Sequence, residues 1–293
     1  MSDALAYYPG CSGLGTSREY DVSTRAVCAA LGLELVDIPD WSCCGSSPAH
    51  TLDHTLSAAL SARNLELVEA MGLGLAATPC PSCLKNLKTA THRMESAAFR
   101  DRVNQLLDRP HRGSVKTMSV LQVMVERIGN AAIAARVRRP LEGIRLAPYY
   151  GCIMNRPPEA MEFDDPENPT AMDGVLSALG AEVRPFPLKV ECCGASFGVP
   201  RKDVVVRLTG KLLACAKDCG ADAVVVACPM CQMNLDLRQG QVNRAMNEEF
   251  EMPVFYFTQL MGFAMGLPEK DLGMGKLNVS PWPVLSKVLA AAS

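Results

Sequence analysis

The sequence predicts an α/β protein of two pseudo-repeated βα domains with mainly parallel sheets and cysteines at the carboxyl ends of the strands. Three observations carry this expectation. Short β-rich runs alternate with longer helical patterns along the chain. Each cysteine group directly follows one of those runs. Ten of the thirteen cysteines form one pattern written twice, C-x31-CC-x35-C-x2-C and C-x39-CC-x34-C-x2-C.

In the first half, Ala4-Leu5-Ala6-Tyr7-Tyr8 is strand-like and leads to Cys11, and a helical segment follows from about Tyr20 to Leu31. Leu33-Glu34-Leu35-Val36-Asp37-Ile38 leads to Cys43-Cys44, and one helical pattern then runs from about Leu52 to Met71. Leu73-Gly74-Leu75-Ala76-Ala77-Thr78 leads to Cys80 and Cys83. The second half repeats the order: Leu146 to Tyr150 before Cys152, Glu182 to Val190 before Cys192-Cys193, and Ala223 to Ala227 before Cys228 and Cys231. A fourth matched run closes each half, Val115 to Leu121 and Val254 to Leu260, each continuing into a helix. The expected boundary lies where the basic Arg138-Arg139 meets Pro140, which gives domains 1–139 and 140–293. Residues 155–170, proline-rich and acidic, lengthen the first gap of the second copy and read as an inserted surface loop. In open α/β sheets ligands bind beyond the carboxyl ends of the strands, so each half should gather five thiols at one sheet edge. Gly10, Gly45, Gly151 and Gly194 sit beside cysteines, where the backbone must turn sharply or approach a bulky ligand.

Composition narrows the class. At 293 residues, 48% hydrophobic and 20% charged, the chain has the make-up of an ordinary globular protein of about two domains. A net charge of −2 and a pI near 6.1 give no electrostatic case for nucleic acid or an anionic membrane surface. No apolar stretch is long enough for a membrane span, and the first residues do not read as a leader, so the expected location is cytoplasmic. In that reducing compartment clustered cysteines signal metal or redox chemistry rather than a disulfide framework.

Four thiolates suffice for zinc or an ordinary iron–sulfur cluster. A fifth, with two of the five adjacent in sequence, suits an extended cluster of several irons better than one compact ion. Other readings stand beside this one. Cys80-Pro81-Ser82-Cys83 and Cys228-Pro229-Met230-Cys231 each resemble a thioredoxin-like dithiol when taken alone. A vicinal disulfide at Cys43-Cys44 or Cys192-Cys193 would leave the other spacings unexplained, and a zinc-bound scaffold would need only four of the five thiols. Cys28, Cys215 and Cys219 lie outside the repeat and read as structural. The fifteen methionines read as core filler, and His50, His54, His92 and His111 share no metal-binding spacing. Arg63, Lys85, Arg201 and Lys211 follow cysteine groups and could attract an anionic substrate.

The doubled pattern, with Tyr8-Pro9-Gly10-Cys11 matching Tyr149-Tyr150-Gly151-Cys152 and Cys43-Cys44-Gly45 matching Cys192-Cys193-Gly194, resembles the cysteine-rich CCG domain. Two such domains in one chain resemble the B subunit of heterodisulfide reductase, and the likeness extends outside the cysteines to Asp165 through Thr170 and Gln259 through Gly266. The x34 gap before Cys228 departs from the family range by one residue, as a small loop deletion would. The resemblance implies two noncubane [4Fe-4S] clusters. Carried over by position, Cys11, Cys43, Cys44, Cys80 and Cys83 would bind one, and Cys152, Cys192, Cys193, Cys228 and Cys231 the other. It implies an iron–sulfur oxidoreductase acting on a disulfide held between the clusters, the substrate being the coenzyme M–coenzyme B heterodisulfide or protein-bound sulfur in a bacterial sulfur-oxidising relative. The chain has no C-x2-C-x2-C-x3-C-P run for a ferredoxin-type cluster. The implied partners are therefore a ferredoxin-type C subunit and a flavin-containing A subunit. The alternative within the resemblance is an electron-transfer CCG subunit of a lactate- or glycolate-oxidising complex.

Overall fold

The computed structural model describes residues 4–291. Its first half runs β1 (Ala4–Tyr7), α1 (Gly10–Leu14), α2 (Arg18–Ala30), β2 (Glu34–Asp37), α3 (Ser46–Leu52) and α4 (His54–Ala70). It continues through β3 (Leu75–Thr78), α5 (Pro81–Arg93), α6 (Ala97–Asn104) and β4 (Lys116–Ser119). Two short helices, α7 (Val120–Val123) and α8 (Asn130–Ala134), flank a π-helical turn at Met124–Ile128. The second half opens with β5 (Arg145–Tyr149), α9 (Pro158–Met161), α10 (Ala171–Ala178), β6 (Glu182–Val183) and α11 (Lys202–Asp218). It closes with β7 (Ala223–Val226), α12 (Pro229–Leu237), α13 (Gln239–Met246), β8 (Val254–Tyr256), α14 (Phe257–Ala264) and α15 (Trp282–Ala291).

Each half holds one four-stranded sheet, in the order β2-β1-β3-β4 and β6-β5-β7-β8, and every pairing is parallel. The expected α/β architecture with repeated parallel sheets is what the chain adopts. Parallel sheets are covered on both faces, which is why Ala223-Val224-Val225-Val226 is apolar without alternation and wholly buried. The strand order reverses between β1 and β3 and again between β5 and β7. Such switch points leave a crevice at the carboxyl ends, and the cysteine loops lie there.

Several local expectations are revised. The helix expected over Leu52 to Met71 is two helices, because Asp53 adopts an extended backbone and its carboxylate accepts the Leu56 amide to start α4. The strand expected over Glu182 to Val190 pairs only at Glu182 and Val183, since Pro185 and Pro187 cannot donate to a ladder. Residues 155–170 are not a free surface loop. Asn155, Ala160 and Met161 are buried, and Lys88 of α5 donates to the Met161 carbonyl, so the segment ties the second half to the first.

The two sheets share one hydrophobic core. Leu5, Val27 and Met124 belong to the same buried cluster as Leu146, Val225 and Phe257. Helix α2 packs on α14, where Tyr20 stacks on Tyr256 at 4.1 Å and Ser23 Oγ meets Thr258 Oγ1 at 2.7 Å. Reciprocally, α10 packs on α7 and α8. The Arg138 and Arg139 amides both donate to the Ala264 carbonyl at the end of α14.

Candidate functional site

All ten repeated cysteines lie beyond carboxyl ends of strands. Cys11 sits in α1 after β1, and Cys43-Cys44 occupy the loop between β2 and α3. Cys80 is the N-cap of α5 and Cys83 lies one turn inside it, with Pro81 fixing the first helical residue. A helix N-terminus favours a thiolate over a thiol. The Cys44 and Cys83 sulfurs are 3.5 Å apart, Cys83 also bonds Cys80, and Cys43 bonds Cys11. The five thiols thus form a solvent-side pair, Cys11 with Cys43, and a buried trio, Cys44, Cys80 and Cys83.

The second half repeats this division. Cys152 bonds Cys192 at the more open side, while Cys193 lies 3.7 Å from Cys231, which bonds Cys228 at the helix-capping position of α12. In both halves the adjacent cysteines are split, one to the pair and one to the trio. That follows from backbone geometry, because neighbours in an extended chain point their side chains apart.

The turn glycines allow the close approach. Gly10 and Gly151 have φ of +67° and +76°, and a Cβ on either would stand 2.9 Å from the sulfur of Cys83 or Cys231. Two further matched residues were not singled out by the sequence reading. Asn86 donates to the Cys44 carbonyl at 3.0 Å and the Ser46 carbonyl at 3.1 Å, and lies 3.7 Å from the Cys44 sulfur. Asn234 donates to the Cys193 carbonyl at 3.4 Å and the Cys193 sulfur at 3.5 Å. The signal was present as C-P-x-C-x2-N in both copies. Likewise Tyr8 donates to the Ser42 carbonyl and Tyr149 to the Glu191 carbonyl, each at 2.7 Å, pinning the loop before the double cysteine.

These contacts shift the thiols apart in acidity. The Cys83 hydrogen bond, backed by the Ser46 amide and Asn86, holds Cys44 down to about 6 against the opposing effect of burial. Cys152 does the same for Cys192, to about 6, and Cys231 for Cys193, to about 7. Cys83 and Cys231 are pushed well up by the thiols they bond. A set that sheds some protons near neutrality suits a cationic inorganic group. Among the described residues no three His, Cys, Asp or Glu are arranged to hold a single metal ion. The pair-and-trio split and the glycine clearances fit an extended, thiolate-bound group.

The two sets also converge. Tyr20 is wholly buried between the halves and donates to the Ala227 carbonyl, the residue before Cys228. Its hydroxyl is held protonated by burial first, then by Cys228 of one set and Cys80 of the other. The three remaining cysteines stand apart from the sets. Burial pushes Cys28 up to about 12, and burial with Cys219 pushes Cys215 up to about 11. Of the four bases named from sequence, three meet acids: Arg63 with Asp40, Arg201 with Asp203, and Lys211 with Glu191 at 3.9 Å. His92 lies beside Glu95 and the buried His111 beside Glu69.

Two parallel-sheet halves, each with a five-thiol set at its switch point, define a tandem cysteine-rich α/β redox protein. The model of the CCG family, "Cysteine-rich domain", matches residues 5–88 and 146–236, and the chain belongs to that family, among the B subunits of heterodisulfide reductases. It is 32% identical over 277 residues, 94% of this chain and 96% of the other, to the "8-methylmenaquinol:fumarate reductase membrane anchor subunit" of Wolinella succinogenes. It is 30% identical to a protein of Archaeoglobus profundus that is like the heterodisulfide reductase B subunit, covering 90% and 92% of the two chains. The B subunit of the ferredoxin/F(420)H(2)-dependent CoB-CoM heterodisulfide reductase of Methanosarcina acetivorans is 25% identical, covering 97% and 96%. Among solved structures, a hypothetical protein from Helicobacter pylori superposes with a TM-score of 0.75 at 13% identity. That match covers 95% of this chain and 52% of the other, and speaks to the fold alone.

Proposed function

We propose that this chain is the catalytic B-type subunit of a heterodisulfide reductase-like complex, with sulfur redox chemistry at two noncubane [4Fe-4S] clusters. The observation that carries the reading is the pair-and-trio set of five thiols, present in both halves and converging on Tyr20. Cys11, Cys43, Cys44, Cys80 and Cys83 would hold one cluster in domain 1–139. Cys152, Cys192, Cys193, Cys228 and Cys231 would hold the other in domain 140–293. When bound, such clusters supply single electrons and iron with affinity for sulfur. The protein's part is to fix the thiolates, to exclude water from the buried trio, and to keep the loop carbonyls occupied through Asn86, Asn234, Tyr8 and Tyr149. With no ferredoxin-type run in the sequence, electrons would come from a ferredoxin-type subunit, itself linked to a flavin subunit. None of the described helices is long and apolar enough to cross a membrane.

Anaerobic analysis of the purified chain tests the assignment: two five-cysteine sets should carry about eight irons per chain. Cys44→Ala and Cys193→Ala should each lose or reshape one cluster and spare the other. Full iron content and an unchanged spectrum in both variants would remove the ligand assignment, and about two zinc with negligible iron would favour a scaffold. Disulfide turnover should be slow for the isolated chain and faster with the ferredoxin-type subunit, and equal rates would count against the proposed role in the complex. A second reading, electron transfer without sulfur chemistry, is favoured by the likeness to the quinol:fumarate reductase subunit. It predicts no disulfide turnover in the full complex and electron flow from a quinol.

A further inference from the structure

Behind the first cysteine loop, α3, α4 and α5 enclose a cavity of about 70 Å³ lined by His50, His54, Lys85, Asn86, Thr89 and Arg93 among others. Four of these six are bases. No hydrogen bond or ion pair to the side chains of His54, Lys85 or Arg93 is present among the described residues, in contrast to Arg63, Arg201 and Lys211. His50 Nδ1 lies 3.2 Å from the Ser46 carbonyl and donates to it, which leaves Nε2 for the cavity. Thr89 Oγ1 is buried without a partner. A buried hydroxyl left unpaired costs about 1–3 kcal/mol, and several cations gathered without an anion repel one another. Both costs vanish if an anion with several acceptor oxygens sits among them.

The second half shows that the cysteine set does not require this arrangement. Counting from the matched cysteines, His50 and His54 correspond to Val199 and Asp203, and Lys85 and Arg93 to Met233 and Gln241. Asn86, by contrast, corresponds to Asn234 and keeps its contact with the cysteine loop. The positions that serve the thiols are shared, and the four basic ones are not.

We propose that this cavity is a binding site for a tetrahedral oxyanion, a sulfate, sulfonate or phosphate group, either free or as the acidic end of a small organic ligand. Its size admits one such group, and Asn86 connects it to the Cys44 loop. The proposal does not depend on which inorganic group the cysteines hold.

Calorimetric titration of the full, anaerobically prepared chain at low salt tests it, with inorganic sulfate, inorganic phosphate and methanesulfonate as probes. Sulfate or phosphate should bind at one site per chain. Lys85→Met and Arg93→Gln, which copy the second half, should each weaken binding by about tenfold, the loss of one charge-assisted contact. Thr89→Val should weaken it less, and Lys211→Met should leave it unchanged. Competition by methanesulfonate would assign the site to a substituted oxyanion, and its failure to compete would assign it to the inorganic ion. Iron content and melting temperature, followed in every variant, separate loss of the cavity from loss of the fold or cluster. Absence of saturable binding in the parent chain, or parent-like binding by folded Lys85→Met and Arg93→Gln, would overturn the proposal.

Discussion

Gly10 and Gly72 share a left-handed backbone, with φ of +67° and +72°, and differ in what surrounds them. Nothing lies within 4 Å of a Cβ built on Gly72, whereas one on Gly10 meets the Cys83 sulfur at 2.9 Å. Gly72→Ala should therefore cost only the conformational penalty, about 1–2 kcal/mol. Gly10→Ala should cost that and also displace Cys83, so iron retention should fall alongside melting temperature. Equal effects of the two on iron content would show that clearance at Gly10 does not matter. At this scale the cysteines and their glycines were legible, because each stands in a doubled motif. The supporting Asn86 and Asn234 were equally repeated. An asparagine inside a helix does not announce its partner, which here is a carbonyl in a loop about forty residues away.

Strand β5, strand β7 and helix α15 meet at one carboxylate. Asp222 accepts from the Arg145 amide and guanidinium at 2.8–3.1 Å and from Lys287 Nζ at 2.8 Å. Burial alone would raise its pKa, but Arg145 and Lys287 outweigh it and hold the group well below the ordinary value of 3.8. A depressed carboxyl contributes stability that is complete above its unfolded pKa and lost as pH falls through the folded one. Asp222→Asn should thus lower stability by about 1–2 kcal/mol at neutral pH, the worth of charged hydrogen bonds. The gap between variant and parent in thermal melts should hold from pH 7 to about pH 4 and narrow below it. A gap that widened in acid would contradict the clamp. The strands themselves were readable from apolar runs. The break at Asp53 and the shortening of β6 were not, because a cap needs a specific local hydrogen bond and a ladder needs donors that Pro185 and Pro187 lack.

For the molecule as a whole, the decisive contacts join the halves. Periodicity shows that a helix has an apolar face and is silent on which neighbour covers it, so neither the pairing of α2 with α14 nor that of α10 with α7 and α8 could be read from the chain. Nor could the docking of residues 155–170 on α5, since a proline-rich acidic segment has the composition of a surface loop. Because the core is continuous, fragments 1–139 and 140–293 should each melt without a cooperative transition when made alone and regain one when mixed. Independent two-state melting of either fragment would show separable domains. Tyr20→Ala should cost about 3–5 kcal/mol, as removal of a buried aromatic does. It should also perturb the spectra of both cysteine sets, whereas a merely structural residue would affect stability alone.

The exchange of helices across the middle, with the leading helix of each half resting on the closing helix of the other, is the pattern a two-fold axis imposes. In a symmetric pair of separate chains every substitution appears twice, so the two thiol sets would have identical surroundings and identical redox poise. Covalent joining lifts that condition. Lys88 is free to face Asp236 as its counterpart, and Lys85 to face Met233, without the second copy having to follow. Charges near a redox group shift its potential. Fusion of the two copies therefore supplies what symmetry forbids, a downhill direction between two otherwise equivalent centres.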